Sequence, residues 1–318
     1  MRPTRRDVPS GMARWTIDQM PDQTGRTILV TGANSGLGLR SAEALAARGG
    51  RVLMGCRNQE KAAVALEAVK QVATDAPPEI VPLDLADLDG VRACAVRLGT
   101  ELDRLDVLMN NAGVMGIAQQ RTKQGFEMQF ATNHLGPFAL TGLLLPVLRR
   151  ARAPRVVTVS SNGHRLGRMH FADLNSERGR YSRWQPYTQS KLANLLFTSE
   201  LQRRAIAAGS GLLAVAAHPG YAATNLTSGP REKNALYAWG ATISDRLFGQ
   251  PDRMGALPQL YAATMADVAP DDYWGPDGFM EQRGWPKRVG RSSSATDTEA
   301  AGRLWDVSEM LTGVKFVW

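Results

Sequence analysis

A tyrosine and a lysine four residues apart are the pair of side chains whose chemistry is easiest to interpret. Tyr187 and Lys191 begin and end the segment Tyr-Thr-Gln-Ser-Lys, inside a stretch, 186–208, whose apolar spacing predicts a helix. Residues four apart lie on one face of a helix, so the phenol and the ammonium can point into one cleft. A nearby cation favours the phenolate and lowers the pKa of a tyrosine, which suits acid–base catalysis on a carbonyl or an alcohol.

Two serines at the end of a predicted strand supply a further polar group. The strand covers residues 155–159 and is followed by Ser160 and Ser161. We expect Ser161 to orient a substrate oxygen and Ser160 to act as a local cap. Ser161 precedes Tyr187 by 26 residues (187 − 161), so the two can converge only if the intervening segment loops out and returns.

An asparagine lies inside the helical pattern of residues 126–150. Asparagine is mildly unfavourable in a helix interior, so Asn133 invites a functional explanation. The neighbouring His134 is interpreted as a packing residue.

A glycine-rich segment, 31–38, connects a predicted strand, 27–30, to a predicted helix, 37–47. Gly32 allows a tight turn, Gly36 lets the backbone approach a pyrophosphate, and Gly38 lets helix and strand pack closely. Glycine-rich loops also occur for structural reasons, but the position between a strand and a helix favours a nucleotide site.

The end of the second predicted strand lacks the acidic residue that usually binds the adenosine ribose of NAD. Arg57 stands there instead, followed by Asn58. A guanidinium suits a 2′-phosphate, with Asn58 and Ser35 as further donors. The alternative is that Arg57 is a solvated residue at the start of a helix.

Two more loops follow predicted strands. Asp84 and Leu85 are expected beside the adenine, and the segment 110–113 is expected to bring small residues against a cofactor. Asp84 could equally cap the helix that begins near Leu88, and Asn111 could be a turn residue.

Strand-like and helical patterns alternate along the chain. The predicted strands cover residues 27–30, 51–54, 80–83, 107–109, 155–159 and 212–216, and the predicted helices cover 37–47, 60–72, 88–98, 126–150 and 186–208. This alternation predicts an α/β fold with a doubly wound, Rossmann-type parallel sheet and helices on both faces. Ligands of such sheets bind at the carboxyl ends of the strands, where all the motifs above lie.

Composition excludes several classes of protein. The 318 residues are 43% hydrophobic and 21% charged, as expected for a soluble globular protein. The net charge of +8 is spread over many local clusters, so we expect no nucleic-acid partner. Two cysteines and four dispersed histidines predict neither a disulfide framework nor a metal site. With no apolar run long enough to cross a bilayer, we expect no transmembrane segment. The low cysteine count favours a reducing, cytoplasmic location.

The combined motifs resemble the short-chain dehydrogenase/reductase family, in particular its retinol dehydrogenase-like group. The resemblance covers roughly residues 24–226 and rests on the segments 31–38, 56–58, 110–113, 133–136, 160–161, 187–191 and 218–220, with Thr224. Segments 255–259 and 273–278 resemble the tail of the same group.

This resemblance implies a catalytic set and a cofactor. Tyr187 would exchange a proton with the substrate, Lys191 would bind the nicotinamide ribose, Ser161 would hold the substrate oxygen and Asn133 would hold a water molecule. The implied cofactor is NADP(H), preferred over NAD(H), with hydride passing between the nicotinamide and the substrate. The expected cofactor-binding residues are Gly32, Asn34, Ser35, Gly36, Leu37, Gly38, Arg57, Asn58, Asp84, Leu85, Asn111, Ala112, Gly113, Tyr187, Lys191, Pro219, Gly220 and Thr224.

The domain boundaries and the substrate follow as expectations. Residues 1–23 are expected to form a basic arm and 24–318 a single domain with a C-terminal extension, of which 226–290 would be a substrate-binding lid. The bulky apolar residues of this region predict a lipophilic carbonyl or alcohol as substrate, and the alternative is that most of them pack in the core. A homo-oligomer is compatible with the sequence. Two alternatives stay open: a light-dependent enzyme resembling protochlorophyllide oxidoreductase, and a non-catalytic NADP-binding regulatory protein.

Overall fold

The computed structural model describes residues 14–220 and 251–318. In these ranges eight strands form one sheet in the order β3-β2-β1-β4-β5-β6-β7-β8, parallel except for the pairing of β7 with β8. The strands are β1 Thr27–Thr31, β2 Arg51–Cys56, β3 Glu79–Pro82, β4 Val107–Asn110, β5 Arg155–Val159, β6 Leu213–Ala217, β7 Tyr273–Pro276 and β8 Pro286–Arg288. The expected doubly wound parallel sheet is confirmed.

Helices connect the parallel strands and cover both faces of the sheet. They are α1 Gly36–Ala46, α2 Gln59–Lys70, α3 Leu88–Glu101, α4 Met128–Phe130, α5 Gly136–Leu148, α6 Trp184–Ala207, α7 Asp252–Thr264 and α8 Thr298–Thr312. A π-helical turn, Ala131–Leu135, joins α4 to α5. One core lies under α1, α2 and α7, and another under α3, α5 and α6.

Strand β1 explains why the sheet has this form. Its residues Ile28, Leu29 and Val30 are all fully buried, because helices cover both faces. It pairs with β2 on one side and β4 on the other, so the order of the strands along the chain reverses here. Loops after β1 and β4 therefore diverge at one point of the carboxyl edge and leave a crevice between them.

Residues 14–23 lie within the expected basic arm. Trp15 and Met20 are nevertheless buried, and the ring of Trp15 meets Tyr261 of α7 edge-on with the centroids 5.2 Å apart. This part of the segment therefore packs on the domain. Within the described ranges, no helix has the length and apolar character needed to cross a membrane.

Both cysteines are free and buried. Burial raises the pKa of Cys56 and of Cys94 to about 11, so neither thiol is a reactive nucleophile near neutral pH.

Candidate active site

A cavity of about 340 Å³ opens at the carboxyl edge of the sheet, where the loops after β1 to β4 meet. It is lined by thirteen of the residues expected to bind the cofactor: Gly32, Asn34, Ser35, Gly36, Leu37, Gly38, Arg57, Asn58, Asp84, Leu85, Asn111, Ala112 and Gly113. It is also lined by Thr31, Gly55, Lys61, Leu83, Val114 and Thr132, which the sequence analysis does not single out.

The glycine loop has the backbone that its residues predict. Gly32 and Gly36 adopt φ values of +70° and +51°, a region that favours glycine. A methyl group added to Gly38 would overlap the carbonyl oxygen of Gly32, so only glycine lets α1 start this close to β1. The side chain of Ser35 makes no capping hydrogen bond to α1. The first N–H groups of α1 are thus available to an anion in the cavity.

Two cations lie at the end of the cavity beside β2. The side chains of Arg57 and Lys61 are exposed, and neither forms a hydrogen bond or ion pair with the other residues that the structure describes. Asn58 caps α2, because its side-chain oxygen accepts a hydrogen bond of 2.8 Å from the Lys61 N–H. Lys61 was not predicted, although its place in the first turn of α2, next to the cap Asn58, could have indicated it.

The loop after β3 forms a turn around its own aspartate. Asp84 Oδ1 accepts a 2.9 Å hydrogen bond from the Ala86 N–H, and Asp87 is the residue that caps α3. The alternative that Asp84 caps this helix is therefore wrong. Asp84 and Leu85 instead form one wall of the cavity.

Asn111 acts as a clamp between strands. Its Nδ2 donates to the Thr31 carbonyl oxygen at 2.8 Å, and its Oδ1 accepts from Gln259 of α7 at 3.1 Å. The hydroxyl of Thr31 accepts from the N–H groups of Asn111 and Ala112, each at 3.0 Å. Asn111 thus fixes the loop that carries Ala112 and Gly113 into the cavity.

The predicted catalytic side chains converge beside this cavity. Tyr187 and Lys191 are 7% and 4% exposed, and a hydrogen bond links the Tyr187 phenol to the Ser161 hydroxyl. Lys191 Nζ donates to the Val159 carbonyl oxygen at 3.1 Å and lies 5.9 Å from the centre of the Tyr187 ring. The segment between Ser161 and Tyr187 therefore loops out and returns, as convergence requires.

Burial is the largest influence on the pKa values of Tyr187 and Lys191. It raises the pKa of Tyr187 above its ordinary value of 10, and the hydrogen bond from Ser161 opposes that rise. Burial also lowers the pKa of Lys191 to about 8. The lowering of the Tyr187 pKa by Lys191 stays a prediction, because burial is the largest influence on both groups here and the ammonium bonds the β5 carbonyl oxygen.

Asn133 lies in the π-helical turn between α4 and α5, which explains an asparagine in a helical pattern. Its Oδ1 accepts from the Val114 N–H at 2.8 Å, while its Nδ2 donates to the Val114 carbonyl oxygen and to Ser190 Oγ, each at 2.9 Å. Asn133 therefore holds the strand-end loop after β4 against α6.

Gly113 joins the cavity to the catalytic group. A methyl group added to Gly113 would lie 3.1 Å from Asn133 Oδ1 and 3.4 Å from Lys191 Nζ. Tyr187, Lys191 and Ser161 do not line the cavity themselves. A ligand that extends along the cavity reaches them by passing Gly113.

The capping role that was expected of Ser160 belongs to Ser161. Ser161 is the cap, since its hydroxyl accepts from the Gly163 N–H at 3.1 Å. The Ser160 hydroxyl donates to the Lys191 carbonyl oxygen at 2.7 Å and so ties β5 to α6. The prediction of Ser160 as a local cap is wrong, because its side chain faces α6.

Pro219 and Gly220, also expected to bind the cofactor, are not among the residues that line the cavity. Pro219 and Gly220 follow β6, and the Gly220 N–H donates to His218 Nδ1 at 3.2 Å. Thr224 lies outside the described residues.

His134 is a packing residue as predicted: it is buried among Phe130, Phe138 and Phe197, and burial lowers its pKa to about 3. In the described ranges, no cluster of side chains could hold a metal ion.

This arrangement fits a dinucleotide. The α1 N–H groups suit a pyrophosphate, the cations beside β2 suit a further phosphate, and a side chain at position 113 would crowd Asn133 and Lys191. The buried phenol, hydroxyl and ammonium beyond it can exchange a proton with a carbonyl or alcohol oxygen.

Comparisons with known proteins agree with this geometry. The short chain dehydrogenase family matches residues 26–235. Human "Retinol dehydrogenase 13" is 37% identical over 301 residues, which cover 92% of this chain and 86% of the human protein. The crystal structure of an uncharacterized protein from Mycobacterium paratuberculosis has a TM-score of 0.80 and 44% identity, covering 96% of this chain and 100% of that chain.

A further solved structure contains a nucleotide. It is the Pseudomonas aeruginosa RhlG/NADP active-site complex, with 28% identity and a TM-score of 0.60, covering 79% of this chain and 93% of that chain. The family match spans more than half of the chain, and the human relative aligns over most of it. The chain therefore belongs to the short-chain dehydrogenase/reductase family of oxidoreductases, in its retinol dehydrogenase-like group.

Proposed function

We propose that the protein is an NADP(H)-dependent oxidoreductase that transfers hydride between the nicotinamide and a carbonyl or alcohol. The observation that carries this proposal is the meeting of two features at Gly113: this residue lines the cavity, and Asn133 Oδ1 and Lys191 Nζ lie within 3.4 Å of the place where a side chain on it would begin. A binding protein without turnover would have no need of a buried phenol hydrogen-bonded to a serine at this point.

Each catalytic side chain has a defined task in this proposal. Tyr187 donates a proton to the carbonyl oxygen in reduction and accepts it in oxidation, and Ser161 holds the same oxygen by a hydrogen bond. Lys191 binds the nicotinamide ribose and keeps positive charge near the phenol. Asn133 positions Val114 and Gly113. The nicotinamide, when bound, supplies or accepts the hydride.

The cations beside β2 support a preference for NADP(H). Arg57 and Lys61 line the cavity without an acidic partner among the described residues, and the β2 end carries no carboxylate that would repel a 2′-phosphate. The RhlG complex, a relative in this fold, contains NADP. A charged hydrogen bond to the phosphate contributes about 1.5–3 kcal/mol, and 1.4 kcal/mol corresponds to about tenfold in affinity.

Titration calorimetry with both nucleotides tests this preference. NADPH should bind at least about tenfold more tightly than NADH, and Arg57→Ala should remove most of the difference by weakening NADPH alone. Arg97→Ala, which changes an arginine of α3 outside the cavity, is the matched control and should change neither affinity. Equal affinities in the unmodified protein would contradict the preference.

The surroundings of Tyr187 support a lipophilic substrate. Trp184, at the start of α6, is half exposed, and its ring meets that of Tyr187 edge-on with the centroids 6.2 Å apart. Gly116 adopts a φ of +61° and packs against this indole, where an added methyl group would lie 3.4 Å away. The human relative's name refers to retinol, a lipophilic alcohol. The lid of residues 226–290 stays a prediction, since 221–250 lie outside the described residues.

A panel of linear aldehydes tests catalysis and substrate class together. NADPH consumption should require the aldehyde, and kcat/KM should rise with chain length, because each buried methylene contributes about 0.8 kcal/mol. Trp184→Ala should flatten this rise, whereas Met310→Ala, an exposed change on α8, should not. NADPH binding without turnover on any aldehyde or ketone would instead favour a regulatory protein, and a flat series would exclude the apolar site.

A further inference from the structure

A buried histidine contacts the backbone of the expected substrate-binding serine. His164 lies in the short 3-10 helix Asn162–Leu166 that directly follows Ser161, and its side chain is fully buried. It is absent from the set of residues that the family resemblance implies. Its ring meets the ring of Tyr273 in β7 edge-on, with the centroids 5.6 Å apart.

The partners of this imidazole fix its tautomer. Nδ1 lies 2.7 Å from the Ser161 carbonyl oxygen, which can only accept a hydrogen bond. Nε2 lies 3.3 Å from the backbone nitrogen of Ser292, whose N–H can only donate. The ring is therefore neutral, with its proton on Nδ1.

Charged and titratable groups around the ring are compatible with the neutral form. They are Arg165 of the same 3-10 helix, His218 directly after β6, Glu281, and Tyr273 of β7, whose ring contacts the imidazole. Burial is the largest influence and lowers the pKa of His164 to about 4, while Glu281 and the Ser161 carbonyl oppose that shift. The imidazole thus carries no charge over the working range of an enzyme near neutral pH.

The hydrogen bonds of Ser161 leave its hydroxyl little freedom to move. Its carbonyl oxygen accepts from Nδ1 of His164 and, at 3.0 Å, from the His164 backbone N–H, so both lone pairs are used. Its hydroxyl oxygen accepts from the Gly163 N–H at 3.1 Å, which directs the hydroxyl proton away from this turn. The hydroxyl also bonds the phenol of Tyr187.

We propose that His164 is a positioning residue: its Nδ1 holds the Ser161 carbonyl, the Ser292 N–H keeps the ring in the tautomer that makes this bond, and the Ser161 hydroxyl is thereby held at the distance from Tyr187 that turnover requires. The substrate oxygen must bond both hydroxyls at once, so a small rotation of Ser161 would break that geometry. This inference rests on the proposed function, because it assigns His164 a task in the same site.

Nitrogen-15 NMR of the whole protein tests the hydrogen-bond geometry without any activity measurement. At neutral pH the His164 signals should show a protonated Nδ1 and an unprotonated Nε2, whereas a free imidazole favours the proton on Nε2. The exposed His170 provides the reference ring in the same spectrum. An Nε2-protonated or doubly protonated His164 would overturn the proposal.

Two conservative variants separate positioning from packing. The Nδ2 of an asparagine corresponds in place to Nδ1 of the imidazole, so His164→Asn keeps a donor for Ser161 and loses the bond to Ser292. The Oε1 of a glutamine corresponds to Nε2, so His164→Gln keeps the acceptor for Ser292 and loses the donor. His164→Ala loses both.

The expected result is a difference in kcat between these variants. His164→Ala and His164→Gln should lower kcat about ten- to a hundredfold with unchanged NADPH affinity, and His164→Asn should recover most of the loss. Melting temperatures and a His170→Ala control show whether folding or a general effect is responsible. If wild type turns over normally and the Asn and Gln variants have equal kcat, the role of His164 is overturned, whereas the proposed function stands. Absence of wild-type turnover on any substrate overturns the proposed function itself, and the role falls with it.

Discussion

The ammonium of Lys191 is held in the fold at a cost in stability. It is 4% exposed, bonds one carbonyl oxygen, and has no acidic partner among the described residues. Burial lowers its pKa to about 8 from the ordinary 10.5, so the folded state binds this proton less tightly than the unfolded state. The charge is thus unfavourable for folding below pH 8, and this penalty is lost as pH rises from about 8 to about 10.5.

Replacing this lysine should therefore stabilise the protein while it removes activity. Lys191→Met should raise the free energy of unfolding at pH 7 by about 3 kcal/mol, on the scale of the pKa shift, and the gain should shrink at pH 10. The Val159 carbonyl oxygen keeps a donor, Nδ2 of Asn194 at 3.0 Å. Urea unfolding at both pH values measures the gain. Lys70→Met, an exposed change, is the control, and a gain that does not depend on pH would contradict the account.

Residue types next to strand ends made the cavity predictable. Thirteen expected cofactor residues line it, because each belongs to a loop that a strand pattern locates. The clamp between Asn111 and Gln259 could not be predicted, since the two residues are 148 positions apart and nothing local in either segment indicates the other. The capping role of Ser161 depends on the 3-10 turn that follows it, which has no strong pattern of its own.

At the scale of elements, the close start of α1 against β1 depends on Gly38. An alanine there would overlap the Gly32 carbonyl oxygen and approach Asn111 Nδ2 to 2.6 Å, so either the helix or the Asn111 clamp must shift. Backbone atoms cannot give way cheaply, and the shift would move the α1 N–H groups away from a bound pyrophosphate.

Gly38→Ala should accordingly weaken NADPH binding by more than about tenfold and lower the melting temperature. Gly302→Ala, in α8, is the matched control: an added methyl group there meets nothing within 4 Å. It should stabilise the protein by about 0.5–1 kcal/mol, because alanine favours a helix over glycine, and leave binding unchanged. Calorimetry of binding and thermal unfolding measure both effects; a Gly38→Ala protein with normal affinity would contradict the role of this close contact.

Elements with regular apolar patterns were predictable, and irregular ones were not. The predicted β5 agrees with the structure in both boundaries, and β1, β2 and β4 differ by one or two residues at one end. The predicted helix 126–150 is divided by a π-helical turn, which apolar spacing does not reveal. Strand β8 has three mostly exposed residues, and α7 contains Pro258, so neither shows a clear period. Helix α8 was missed although Asp297 and Gly313 mark its ends.

At the scale of the whole molecule, α8 closes the domain by packing on the helices beside the active site. Trp305 is 2% exposed; its ring lies 5.1 Å from that of Phe138 in α5 and 4.4 Å from that of Phe316 after α8, and the Arg204 guanidinium of α6 lies 4.5 Å above it. These contacts support our proposal that residues 24–318 form a single domain.

Replacing Trp305 by a small residue should destabilise the protein as one cooperative unit. Trp305→Ala should lower the free energy of unfolding by about 3–5 kcal/mol, the usual cost of deleting a buried aromatic side chain. Circular dichroism and the loss of NADPH binding should report one common transition. Met310→Ala, exposed on the same helix, should stay within about 0.5 kcal/mol of wild type. Two separate transitions would show that α8 is an independent unit.

The most direct test of the account is a single turnover with NADPH and a lipophilic aldehyde, followed by NADPH absorbance in a stopped-flow instrument. Wild type should oxidise the bound NADPH, and Tyr187→Phe should slow that step at least about a hundredfold with unchanged NADPH affinity, because a general acid has been lost. Tyr261→Phe removes a phenol that bonds Asp267 and should react at the wild-type rate. A Tyr187→Phe protein that transfers hydride as fast as wild type would contradict the central claim.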